Sequence, residues 1–143
     1  MAFFHTLCAI NGLVVLVYGL GLIFAPDFFM GKFIYRKGVW LEFKSRVIMN
    51  PRDRKVYEHI MLGLGLTWLT WALLAYYTMY TSQEPPQRTK FASLNLLAWL
   101  WWTGLDSYIR TMGIYSRFAA KANMLITVGF CLAWGLEYFT TAY

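Results

Sequence analysis

The chain has 143 residues, of which 59% are hydrophobic, 20% aromatic and 14% charged, and its formal net charge is +6. Soluble domains carry about 25% charged and 45–50% apolar residues, so this composition excludes an ordinary water-soluble globule and points to a bilayer as solvent. The cations are divided among short connections between apolar runs, which excludes the continuous basic face that a nucleic-acid partner needs.

The first apolar run, residues 3–24, reads FFHTLCAINGLVVLVYGLGLIF. It is long enough to cross about 30 Å of hydrocarbon as a helix. No basic residue precedes it and it exceeds the apolar core of a signal peptide, so it reads as a spanning helix. Gly12, Gly19 and Gly21 are positions for close helix packing. Ala25, Pro26 and Asp27 end the run.

Residues 25–57 form a basic, partly structured loop. Lys32, Arg36, Lys37, Lys44, Arg46, Arg52, Arg54 and Lys55 place eight of the chain's 13 basic residues there. Arg36, Lys37, Lys44, Arg46, Arg52, Arg54 and Lys55 are the expected contacts for anionic lipid headgroups or a neighbouring subunit, at about 1 kcal/mol per cation near a charged leaflet. Phe28, Phe29, Phe33, Ile34, Tyr35 and Trp40 set the loop on the interface rather than free in water. Val39, Leu41, Phe43 and Val47 alternate with Trp40, Glu42, Lys44 and Arg46, which predicts a short hairpin or extended segment. Asn50 and Pro51 break whatever precedes them.

The second span covers residues 58–80, with Trp68 and Trp71 inside it and Tyr76, Tyr77 and Tyr80 forming an aromatic belt at its far end. A polar connection follows, in which Pro85 and Pro86 stop a helix. The third span covers residues 91–112. One helical turn cannot point Trp99, Trp101 and Trp102 inward together, so at least one faces lipid, pigment or another subunit. A short loop leads to the fourth span, residues 119–140. The fold expected is an all-α membrane protein, a single four-transmembrane-helix bundle with the basic loop between helices 1 and 2.

In that topology the first and third connections share one face with Arg110, Arg117 and Lys121 added to the eight cations, against Arg88 and Lys90 on the other. The positive-inside rule then puts the basic loops toward cytoplasm, matrix or stroma and both termini toward the outer, intermembrane-space or lumenal side. Met1 opens the chain without a basic amphipathic leader, which tilts the expectation toward the mitochondrial inner membrane over the thylakoid.

Polar groups at the span ends form two candidate sets. On the basic face, Glu58, His59, Asp106 and Arg110 form an interfacial polar cluster, with Asp106 and Arg110 spaced to pair across one helical turn. On the opposite face, His5 and Glu137 fall at similar depth and could pair. Asn11, Asn95 and Asn123 lie within spans and predict hydrogen bonds between helices. Cys8 and Cys131 sit at different depths and read as buried hydrophobes rather than a disulfide. There is no zinc-ligand spacing, phosphate loop, nucleophile elbow or paired-histidine span, so no metal and no catalytic residue is expected.

This absence of assembled chemistry makes a non-catalytic accessory subunit of a large respiratory or photosynthetic complex the leading expectation. Its partners would be other membrane subunits, with structural phospholipids and, in a photosynthetic host, chlorophyll or carotenoid. The alternative is a small membrane enzyme or binder for an apolar lipid, sterol or quinone, with Glu58, His59 and Asp106 at the polar end of a cavity. A pigment-binding antenna or photosystem subunit is the third.

Overall fold

The computed structural model describes residues 2–81 and 84–142, except for the side chain of Phe33. The connection expected around residues 81–90 and the interfacial role of Phe33 therefore lie partly outside the described residues.

Every element named is helical: α1 (Ala2–Phe24), α2 (Pro26–Phe29), α3 (Lys37–Phe43), α4 (Pro51–Thr81), α5 (Pro85–Thr111) and α6 (Arg117–Ala142). Wider π-type turns at Met30–Ile34 and Lys44–Ile48 follow α2 and α3. Three helices, α1, α4 and α6, are long and apolar enough to cross a membrane. The expected third span, α5, is of similar length but is not among them. Its 27 residues include Arg88, Lys90, Asp106 and Arg110 together with a polar Asn95.

The prolines start helices where the sequence suggested stops. Pro51 occupies the first turn of α4, and the Asn50 side chain accepts a hydrogen bond from the Arg52 N–H at 3.1 Å. That is an N-cap followed by a residue whose missing N–H has no helical partner to lose. Pro85 and Pro86 open α5 in the same way, and Ser116 caps α6 by accepting from the Ala119 N–H at 3.0 Å.

The predicted hairpin in the basic loop is instead α3 and its π-type extension. Trp40, Phe43 and Val47 recur at helical spacing and pack on Leu22, Ile48, Tyr57 and Met61. This apolar contact outweighs the polar–apolar alternation, and Leu41, which the alternation groups with Phe43 and Val47, is left 55% exposed. Tyr35, Trp40 and Phe43 stack with centroids 5.7–6.1 Å apart.

The long helices form two hairpins. In the first, α1 lies along α4, and the backbones come close where Gly19 faces Gly65. A Cβ on either would sit 2.9 Å from the other's carbonyl oxygen, so this crossing requires glycine. In the second, α5 lies along α6. The hairpins join through Phe4, Phe91, Trp134, Trp99 and Phe130, with the Trp99 and Phe130 rings stacked at 4.5 Å. At one end the basic loop is tied to the α5–α6 connection. Tyr35 and Tyr115 form an antiparallel bridge, closed by Arg36 N–H to Ile114 O at 2.9 Å and Ser116 N–H to Ile34 O at 3.0 Å. Gly113, at φ 66°, makes the turn into this bridge. The basic loop and the α5–α6 connection, which Arg110 and Arg117 flank, thus sit at the same end of the molecule.

Candidate functional site

Beneath that bridge is a cavity of about 320 Å³ between the four long helices. Its walls are apolar and aromatic because each long helix contributes a large side chain there: Tyr18 from α1, Trp68 from α4, Trp99 and Trp102 from α5, Ile126 from α6. The Trp68 and Trp102 rings stack at 4.9 Å, and Tyr18 lies 5.7 Å from Trp68. Helices α4 and α5 meet here through these side chains rather than by close backbone approach. Leu64 and Leu105, at the rim between them, are 39% and 36% exposed.

The polar groups gather at one end. Asp106, only 8% exposed, lines the cavity. The Asn123 amide donates to its Oδ1 at 3.4 Å, and the Tyr18 hydroxyl donates to Asn123 Oδ1 at 2.8 Å. Tyr115 adds a second hydroxyl. Burial, and then the adjacent Asp106 carboxylate, push its ionisation above the usual tyrosine range, so it stays a proton donor toward the acid. Tyr35 beside it is raised by burial alone.

The predicted cluster of Glu58, His59, Asp106 and Arg110 is not assembled. Glu58 and His59 are exposed on α4, and Glu58 accepts from Arg54 at 2.7 Å, one turn away. Arg110 turns from Asp106 and donates to the Ala120 carbonyl at 2.7 Å and the Met124 sulfur at 3.2 Å. Helical spacing permits the Asp106–Arg110 pair, but the guanidinium instead joins the Ala120 carbonyl on α6 as a second donor to that oxygen. Only Asp106 of the four reaches the cavity.

At the other end, His5 does not pair with Glu137. His5 packs edge-on to Phe4 at 6.0 Å, and Glu137, buried, holds an ion pair with Arg88. The Arg88 guanidinium also lies 5.0 Å from the Phe4 ring centroid. Arg88 was legible only as one of two cations on the sparsely charged side. In the centre, Asn11 bonds across to α5 as expected. Its amide donates to Asn95 at 3.4 Å and its oxygen accepts from the Trp99 indole N–H at 2.8 Å. Of the predicted tryptophan trio, Trp99 is buried, Trp102 is half-buried and Trp101 is 75% exposed.

The cations expected to meet headgroups, Arg36, Lys37, Lys44, Arg46, Arg52, Arg54 and Lys55, are all exposed. Arg46 pairs with Glu42 at 3.0 Å and Arg36 donates to Gly113 O at 3.3 Å. Cys8 and Cys131 are both free thiols. Among the described residues, no three His, Cys, Asp or Glu side chains group to hold a metal.

Comparison with protein-family models, curated proteins and solved structures finds no match. What the site does must be argued from its own geometry.

Proposed function

We propose that this integral membrane protein binds a small apolar molecule with one polar end, held in the cavity with that end at Asp106. The observation that carries this is the cavity: about 320 Å³ of apolar and aromatic wall with one buried carboxylate at its end. Ligand sites are commonly apolar clefts of about 300–1,000 Å³ with a few convergent polar groups. The rim between α4 and α5 supports access from the side, within the bilayer.

This reading takes α5 as the third of four crossings. Its 27 residues extend about 40 Å and return the chain to the end where α4 began. The basic connections then face cytoplasm, matrix or stroma, and the termini the opposite side. The polar end of the cavity lies toward the basic face, so a bound molecule keeps its head near the headgroups.

The test is to purify the protein in mild detergent, extract it and identify what is retained by mass spectrometry. Thr127, buried in the wall, is replaced by tryptophan to fill the space. A stoichiometric apolar molecule in the wild type that is lost from Thr127→Trp supports the proposal. Only bulk lipid, in equal amounts from both, defeats it.

The accessory-subunit reading is favoured by a different observation, the exposure of Trp101 away from the cavity. Comigration with a large respiratory or photosynthetic complex on a native gel would support it, and Trp101→Ala should then release the chain from that complex.

A further inference from the structure

Asp106 and Glu137 are both buried acids, but they are matched differently. Glu137 has Arg88 against it. Asp106 is in no ion pair among the described residues: its neighbours are the Asn123 amide and the Tyr115 hydroxyl, both neutral donors. The cation spaced to reach it, Arg110, is committed to the Ala120 carbonyl and the Met124 sulfur. A carboxylate withdrawn from water in this way is stabilised strongly by an opposite charge. The open space beside it is walled by indoles, with Trp68 set 4.9 Å from Trp102 and 6.4 Å from Trp99. Aromatic rings attract cations within about 6 Å, tryptophan most of all, and more so where water is excluded.

We propose that the cavity selects a lipophilic amine, its ammonium set against Asp106 and its apolar body among Trp68, Trp99 and Trp102; this rests on the cavity being a ligand site. A neutral alcohol of the same shape gains the hydrogen bond to Asp106 but neither the charge pairing nor the attraction of the rings. The volume suits a compact body of one to three rings and is too small to enclose a two-tailed phospholipid.

The probes are 1-naphthylmethylamine and 1-naphthalenemethanol, which share a skeleton and differ in the polar end. Each is dialysed to equilibrium against the full chain in phosphatidylcholine nanodiscs at neutral pH, with empty nanodiscs as the blank. The wild type should hold the amine about tenfold or more tightly than the alcohol, and Asp106→Asn should lower the amine to the level of the alcohol. Equal retention of the two by the wild type overturns amine selection and leaves the cavity reading standing. Retention of neither above the blank removes both. An amine preference that survives unchanged in a folded Asp106→Asn also overturns the proposal. The amine–alcohol comparison needs only the wild type, so it decides the matter even where the variant does not fold.

Discussion

Asn11 lies in the middle of an apolar helix, fully buried, and satisfies two partners at once, the Asn95 side chain and the Trp99 indole. Replacing it with leucine of similar bulk strands both, and each buried polar group left without a partner costs about 1–3 kcal/mol. Asn11→Leu should therefore lower the thermal unfolding midpoint in detergent, and Asn11→Leu with Asn95→Leu should recover part of the loss. The Arg88–Glu137 pair makes a sharper case, because removing one member leaves a charge buried alone. Arg88→Met should destabilise by about 3–5 kcal/mol, whereas Arg88→Met with Glu137→Leu should come close to wild type; thermal unfolding of the three proteins side by side checks this. Tyr115 supplies a pH dependence. Its folded ionisation lies above the unfolded value of about 10, so its share of stability is intact below that pH and is lost as the pH rises beyond it. Unfolding midpoints measured from pH 9 upward should fall, and less steeply in Tyr115→Phe.

Helix identity was the most legible property, because runs of 20 or more apolar residues leave the backbone no other way to bond itself in hydrocarbon. Gly19 was legible as a packing position, and it faces Gly65 at the α1–α4 crossing. Gly65→Val places a branched side chain against the Gly19 carbonyl and Ile23, forcing the helices apart at a cost of about 1–3 kcal/mol. A spin-label pair across α1 and α4 should report the longer distance. Gly63, which a Cβ would leave in open space, should accept the same change with little effect. The basic loop was misread for a local reason: its alternation and its helical periodicity share Phe43 and Val47, and only the apolar surface of Leu22, Tyr57 and Met61 decides between them. That surface comes from other elements and cannot be seen in the segment itself. The site was half legible for a similar reason. Asp106 stood out as an acid inside a run, but Tyr18, Asn123 and Tyr115 join it only because three separate elements converge.

At the scale of the whole molecule, contacts between the two hairpins include an aromatic seam, a buried amide–indole cluster and the Tyr18–Asn123 hydrogen bond, and the basic loop is bridged to the α5–α6 connection. Neither hairpin completes the cavity alone: α1 and α4 supply Tyr18 and Trp68, and α5 and α6 supply Asp106 and Asn123. The bridge at Tyr35 and Tyr115 roofs it, so loosening that contact should open the polar end to water. The divided cluster around Asn11 also has a consequence for biosynthesis. If the chain enters the bilayer from its N-terminal end, the first helical pair arrives there before Asn95 and Trp99 do, and Asn11 then waits unmatched. The early half of the chain then has a standing reason to accept the late half when it arrives. Two polypeptides severed between α4 and α5, produced together in one cell, should consequently find each other and copurify, and Asn11→Leu should weaken that reunion more than it weakens the uncut protein.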